Sequence, residues 1–139
     1  MRLILYCRYA RWSLGFVNPP LEVSGKGADC RIRALKDRGV ILLSAVESAM
    51  QDLMDDGILS GLDVGESEIK VTVKPPSEVG SFSEEERSRQ PSLFSVVRSL
   101  VNLFGYEGGD GQLGLYGAFG YDLTFQFEPI NMKQPRDPE

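Results

Sequence analysis

A glycine-rich stretch in the last third of the chain carries the most suggestive chemical motif. From Gly109 to Gly114 it reads Gly-Asp-Gly-Gln-Leu-Gly, which matches the GxGxxG pattern of dinucleotide-binding loops. Those loops follow a strand and open a helix, so that the pyrophosphate meets the helix N-terminus. Here the predicted order is reversed, with a helix before the motif and a strand after it. The order favours a flexible turn over a cofactor site.

The residue types present limit the remaining chemistry. The chain has no histidine, which excludes Ser-His-Asp triads, Cys-His pairs and the commonest zinc sites. Its two cysteines, Cys7 and Cys30, are too few for a disulfide framework or a four-thiolate metal site. They could pair with each other, but free and partly buried thiols are the favoured interpretation. No metal site is predicted.

Acidic residues provide two further candidates. Asp122 follows a predicted strand and could act as a catalytic acid, yet the spacing places no second titratable group beside it. A structural cap for the residues from Leu123 onward is the favoured role. The run Glu84–Glu86 could attract a cation, but acids in the first turn of a helix are already explained by the helix dipole. The residues alone therefore predict no catalytic site.

Charge is distributed unevenly along the chain. Residues 1–40 hold eight lysines and arginines against three acids, residues 41–139 hold seven against seventeen, and the net charge is −5. Arginines together with Tyr9 on one face of a sheet could form a platform for single-stranded nucleic acid. The arginines alternate with apolar residues, however, and do not form a block. A solvated or partner-facing sheet surface is favoured, and no nucleic-acid partner is predicted.

Length and composition are those of a globular protein. The 139 residues suit a single domain over 1–139, with 42% apolar and 25% charged residues. No apolar run approaches the roughly 18 residues of a membrane helix, so no membrane partner is predicted. The stretch Leu3–Cys7 is too short for a secretory signal. The cytoplasm is the predicted location, with a plastid as the alternative because the first 21 residues carry three arginines and no acid.

Alternating apolar residues predict an antiparallel meander in the first third of the chain. Its four strands are expected at residues 10–16, 21–23, 30–35 and 40–43, with a turn at Gly25–Gly27. A capping box of Ser44 and Glu47 then predicts a helix that ends before Gly57. Its apolar stripe comprises Val46, Ala49, Met50, Leu53 and Met54.

The second half of the chain is predicted to alternate between strands and helices. Residues 60–67 are interpreted as a loop, and Glu68–Lys74 as a strand that buries Ile69, Val71 and Val73. A capping box at Ser83–Glu86 predicts a short helix. The next helix, which Gly105 ends, has a stripe of Leu93, Val97, Leu100, Val101 and Phe104.

A last strand is predicted from Leu113 to Tyr121, with one bulky apolar face and one glycine-lined face suited to close packing. Residues 129–139 form a polar tail. The predicted fold class is therefore α+β, in which antiparallel sheets (the N-terminal four-strand meander plus the later strands) pack with two or three helices.

The C-terminal third contains a stretch that resembles a known family. It is similar to the N-terminal region of anthranilate synthase component I, above all to the bacterial type fused to its glutamine amidotransferase. The resemblance covers about residues 8–139. It rests on Gly114–Glu128, with support from Arg8–Trp12, Asn18–Glu22 and Glu84–Ser88. Its structural motif comprises Gly117, Gly120, Tyr121 and Asp122.

The resemblance implies a role in tryptophan biosynthesis, since the family converts chorismate and ammonia to anthranilate. The family's Mg²⁺-binding carboxylates and catalytic histidine lie in a C-terminal region without a counterpart here. The resemblance therefore implies no catalytic residue and no cofactor in this chain, which is expected to be inactive alone. Its implied partners are the chorismate-binding C-terminal region and the glutamine amidotransferase of the family.

The tryptophan effector site is where this sequence departs from the family. The resemblance implies a polar segment, such as Glu-Ser, upstream of an Arg-Tyr or Arg-Phe pair. Arg8 and Tyr9 match that pair and are the candidate effector-binding residues. Residues 2–7 contain no acid, so the start is expected to be altered or truncated, and tryptophan binding to be weak or absent.

The predicted function is that of the N-terminal regulatory and structural part of an anthranilate synthase component I-like protein, without the chorismate-binding catalytic region. The alternative is a standalone binding or protein-interaction module derived from that domain. A part of a larger enzyme would expose apolar surface, and would self-associate or be marginally stable until the C-terminal part is added in trans. A standalone module would be monodisperse and stable alone.

Overall fold

The alternating and helical patterns of the sequence build a sheet with helices on one side. The computed structural model describes residues 17–75, 90–105, 108, 114–121 and 123. Its elements are, in chain order, β1 (Leu21–Lys26), β2 (Asp29–Ala34), α1 (Asp37–Asp55), β3 (Leu59–Val64), β4 (Glu68–Val73) and α2 (Leu93–Phe104). The four strands form one antiparallel sheet, which together with the two helices confirms the α+β class.

The strands are arranged in the order β1-β2-β4-β3. The two-residue turn Gly27–Ala28 joins β1 to β2, and Gly27 has the positive φ of 61° that a tight hairpin of this kind needs. Ile32 lies opposite Val23 of β1 on one side and opposite Ile69 of β4 on the other. Because directly paired residues share a face, these side chains belong to one layer.

Both helices pack on the face of the sheet that carries these apolar side chains. The inward alternation predicted for β2 and β4 is confirmed, because Ile32 and Ile69 are fully buried. The buried core contains Cys30, Ile32, Leu59, Ile69, Val71 and Val73 from the sheet, Leu43, Val46 and Met50 from α1, and Leu93, Val96 and Leu100 from α2. Polar residues occupy the opposite face.

The first helix begins earlier than its sequence signals suggest. The predicted strand Val40–Leu43 is wrong, because these residues belong to α1, which begins at Asp37. Ser44 is therefore inside the helix and not its N-cap, and its hydroxyl donates a hydrogen bond to the carbonyl of Ile41 at 3.2 Å. Leu43 is buried on the same face as Val46, and this burial outweighs the modest strand preference of β-branched residues.

Gly39 makes the early start of α1 sterically feasible. A Cβ at this buried position would collide with the carbonyl oxygen of Pro20 and lie 3.1 Å from Ala34. The first turn of α1 therefore approaches the ends of β1 and β2 more closely than any side chain would permit. The predicted end of the helix is confirmed, since α1 ends at Asp55 and Gly57 adopts a φ of 72°.

One further sequence prediction for the sheet is changed by long-range pairing, and another is not tested. Residues 60–67 are not all loop, because β3 covers Leu59–Val64 and pairs with β4. Of the predicted four-strand meander, β1 and β2 are present, whereas the strand at residues 10–16 lies outside the described residues. Burial of Leu59 and pairing with β4 stabilise β3 despite its glycine and aspartate.

The second long helix is confirmed, with a change in the side that it buries. α2 spans Leu93–Phe104 and ends at Gly105. The backbone N–H of Ser92 donates to Oγ of Ser95 at 3.4 Å at its N-terminus. Val96 and Leu100 face the core, whereas Val101 of the predicted stripe is half exposed.

Candidate functional site

The polar face of the sheet is the first candidate site. We call it the charged face, and it comprises Glu22, Ser24, Lys26, Asp29, Arg31, Arg33, Asp63, Glu68, Lys70 and Thr72. Four of these residues are basic and four are acidic. A broad open depression crosses it, lined among others by Lys26, Asp29 and Asp63. The face is thus a mixed-charge surface and not a basic platform.

Ion pairs across neighbouring strands organise the charged face. Nη2 of Arg33 in β2 lies 2.6 Å from Oε2 of Glu22 in β1. Glu68 in β4 pairs with two cations, since Oε1 lies 2.8 Å from Nζ of Lys70 and Oε2 lies 3.5 Å from Nε of Arg31. Carboxylates therefore pair with Arg31 and Arg33, the described arginines of the nucleic-acid platform that the sequence raised as an alternative. This arrangement favours a solvated or partner-facing surface.

Glu68 is the acid most strongly affected by these neighbours. The hydrogen bond from Lys70 and the positive charges of Arg31, Lys70 and Arg33 lower the pKa of its carboxyl, against a weaker opposing effect of desolvation. At the other end of these two strands, the hydroxyl of Thr72 in β4 donates to Oδ1 of Asp29 in β2 at 2.8 Å. The central strands of the charged face are thus linked by side chains as well as by the backbone.

A second surface forms where residues 114–121 pass over α2. We call these residues the Phe119 segment. The ring of Phe119 packs on that of Phe94 in α2, with centroids 5.2 Å apart and planes inclined by 51°. Just beyond, Leu123 packs against the core, and its N–H donates to the carbonyl of Gly120 at 3.2 Å. The two contacts attach the segment to the helical side of the domain.

The strand predicted for Leu113–Tyr121 is not formed over its described part, residues 114–121. None of the described residues 114–121 belongs to a strand, because no described strand runs alongside them to accept the pairing. The predicted close packing on the glycine-lined face is also not seen. A Cβ at Gly114, Gly117 or Gly120 would meet no heavy atom within 4 Å among the described residues.

The candidate site residues of the sequence fall in different places. Gly117, Gly120 and Tyr121 lie in the Phe119 segment, which carries much of the exposed apolar surface. Arg8, Tyr9 and Asp122 lie outside the described residues, as do Cys7 and Glu84–Glu86.

Sequence reasoning missed Glu68 as a meeting point of cations and Phe94 as a partner of Phe119. The alternation Glu68-Ile69-Lys70 could have indicated the first. Phe94 lies outside the predicted apolar stripe of its helix, so only the tertiary contact reveals it.

Cys30 is a buried free thiol, as the sequence favoured. Its burial raises the pKa of the thiol to about 11. Within the described ranges, no three or more cysteine or acidic side chains cluster as metal ligands. Across the same residues, no helix combines the length and the apolar character needed to span a bilayer.

The chain is an α+β domain in which two helices cover one face of a four-stranded antiparallel sheet. Its two candidate sites, the charged face and the Phe119 segment, are both surfaces. No protein-family model matches the chain, and neither does a solved structure. It is 44% identical over 129 residues to an anthranilate synthase of Azospirillum brasilense, across 93% of this chain and 17% of that protein.

A second relative, anthranilate synthase component 1 of Vibrio cholerae, is 27% identical over 119 residues, across 85% of this chain and 21% of that protein. The chain is therefore a homologue of anthranilate synthase. It spans about a fifth of the length of these two relatives.

Proposed function

We propose that this chain is the N-terminal regulatory and structural part of an anthranilate synthase component I-like protein, and that it does not carry the chorismate-binding catalytic region. The observation that carries the proposal is the 44% identity over 129 residues to the A. brasilense enzyme. In this proposal the chain works in the cytoplasm, or alternatively a plastid, and contributes to tryptophan biosynthesis through the protein of which it is a part.

The described surfaces support a structural role. The core formed by the sheet, α1 and α2 gives the domain a rigid body. The charged face and the Phe119 segment then offer two chemically distinct surfaces to the chorismate-binding region and the glutamine amidotransferase, which are the proposed partners. Mg²⁺ is assigned to the chorismate-binding region and not to residues of this chain. Arg8 and Tyr9 are the proposed contacts for an effector.

A standalone binding or protein-interaction module is the second candidate. The observation in its favour is the packed core, since twelve buried apolar residues give the described domain a hydrophobic centre of its own. In this alternative the exposed Phe119 segment binds a partner unrelated to anthranilate formation.

The two candidates are separated by a chimeric enzyme. In the A. brasilense anthranilate synthase, the matching stretch is replaced by this chain, and anthranilate fluorescence is followed with chorismate, Mg²⁺ and ammonium. We expect the chimera to be active and the isolated chain to be indistinguishable from a blank without protein. Anthranilate formation by the isolated chain would contradict the proposal. A folded chimera without activity would favour the standalone module.

A further inference from the structure

The backbone of the Phe119 segment has unused hydrogen-bonding capacity. Among the described residues, no backbone hydrogen bond involves Gly114, Leu115, Gly117 or Ala118. The segment is nevertheless held in place, because Phe119 packs on Phe94 and Leu123 on the core. At these four residues the anchored backbone has open N–H and C=O groups, like those at the edge of a sheet, which pairs readily with another strand.

The side chains of the segment carry apolar surface in the same place. Tyr121 is 81% exposed, Phe119 67% and Leu115 47%. Three large apolar side chains within seven residues form a concentrated patch, and such patches usually mark interaction sites. The glycines between them leave room for a second backbone to approach.

The length of the relatives indicates what covers this segment. The A. brasilense enzyme is about six times as long as the stretch that it shares with this chain. We propose that the Phe119 segment becomes a β-strand by pairing with a strand from the remaining part of the anthranilate synthase. The inference rests on the proposed function and adds the place and the manner of contact.

The other surfaces fit this occupant less well. On the charged face, Glu68 and Arg33 already have ionic partners. Ile41 on α1 is 74% exposed, but it lies within a helix whose backbone groups are already paired. Among the surfaces that the structure describes, the Phe119 segment combines exposed apolar side chains with the open backbone groups of Gly114, Leu115, Gly117 and Ala118.

Amide hydrogen exchange tests the pairing in the isolated 139-residue chain and in the chimera described above. In the isolated chain we expect fast exchange at Leu115, Gly117 and Ala118, and slow exchange in β2 and β4. In the chimera we expect at least about tenfold slower exchange at roughly half of the amides between Gly114 and Gly120. Only about half of these amides should exchange more slowly, because every second N–H group of a strand points toward a given neighbouring strand.

Two matched substitutions in the chimera provide the control. Leu115→Asp and Ile41→Asp each place a carboxylate at an exposed aliphatic position, one on the Phe119 segment and one on α1. We expect Leu115→Asp to reverse the protection of residues 114–120, and Ile41→Asp to leave it within about twofold of the parent chimera.

Each outcome bears on a different claim. An active chimera with fast exchange at residues 114–120 would overturn the pairing and leave the proposed function standing. Slow exchange of these amides already in the isolated chain would also overturn it, because a second copy or another part of this chain would then be the partner. An inactive but folded chimera with protected amides would support the pairing and contradict the proposed function.

Discussion

Phe119 and Phe94 form a tilted aromatic pair, with centroids 5.2 Å apart, between the Phe119 segment and α2. The two residues are 25 positions apart in the chain, so their contact joins the sheet-and-helix body to the part of the sequence on which the family resemblance rests. The pair lies largely on the surface, since Phe119 is mostly exposed. It is therefore better suited to orient the segment than to stabilise the core.

Phe119→Ala is expected to loosen the segment without unfolding the domain. An aromatic pair contributes about 0.5–1.5 kcal/mol beyond the area that it buries. Because Phe119 is 67% exposed and buries little area, the loss in the free energy of unfolding should stay close to this range. Limited proteolysis should cut more readily near residues 114–121. Val101→Ala, at a half-exposed position on the same helix, should leave the cutting pattern unchanged. A large loss of global stability in Phe119→Ala would contradict an orienting role.

Gly39→Ala is expected to destabilise the fold by about 1–3 kcal/mol, because its Cβ would collide with the carbonyl oxygen of Pro20. Helix propensity alone would favour alanine by about 1 kcal/mol. A net decrease in the free energy of unfolding would therefore have to come from the collision. Urea denaturation measures the effect. Gly114→Ala is the control, since a Cβ there meets no described atom, and it should change stability by less than about 0.5 kcal/mol. Equal stability of the two variants would contradict the close approach of α1.

Glu68→Gln is expected to reduce stability at neutral pH but not in acid. The pKa of Glu68 in the folded state is lowered from its usual 4.5 by Lys70, Arg31 and Arg33, so its ionised form favours folding. The contribution is complete above pH 4.5 and is lost as the pH falls through the lower folded pKa. Urea midpoints of parent and variant should therefore differ at pH 7 and converge in acid.

The matched control for this change is Glu66→Gln, at an exposed position in the turn before β4. It should show a smaller difference at pH 7. High salt should narrow the gap between Glu68→Gln and the parent, since exposed ion pairs are screened. A gap that persisted unchanged at low pH would show that lost packing, and not charge, caused the effect.

Cys30 is expected to react with thiol reagents only after unfolding. The pKa of about 11 leaves about one thiol in a thousand ionised at pH 8, and the side chain is buried against the helices. In a Cys7→Ser background, labelling by an aromatic disulfide should be at least about a hundredfold slower in buffer than in concentrated urea. Rapid labelling of the native chain would contradict the burial of β2 against α1 and α2.

Tryptophan is expected to bind weakly or not at all to the isolated chain. Recognition of an α-amino acid needs a carboxylate for its ammonium group and an oriented donor for its carboxylate. Arg8 could supply the donor, but residues 2–7 contain no acid. Calorimetry should detect no saturable binding at micromolar concentrations. Saturable heat that disappears in Arg8→Ala would contradict this expectation and would place an effector site at Arg8 and Tyr9.

Local sequence patterns were sufficient to predict burial where the environment of a residue follows from its neighbours in the chain. Alternation along β2 and β4 predicted the buried positions of Ile32 and Ile69, because successive strand residues face opposite sides. The stripe that includes Val46 and Met50 predicted the buried face of α1 for the equivalent reason at helical spacing. The resemblance to anthranilate synthase was also visible in the sequence, since it depends on the identity of the residues and not on their arrangement in space.

Tertiary structure decided the features that depend on contacts between distant residues. Val40–Leu43 has the composition of a strand, but it lies in α1, which begins at Asp37 and packs against Pro20 through Gly39. Leu43 is buried in this helix. The loop-like residues of β3 become a strand because β4 offers them a hydrogen-bonding edge. The Phe119 segment has the alternating pattern of a strand, but no described strand pairs with it. A strand exists only when its backbone groups find partners, and the identity of those partners is not encoded in the segment itself.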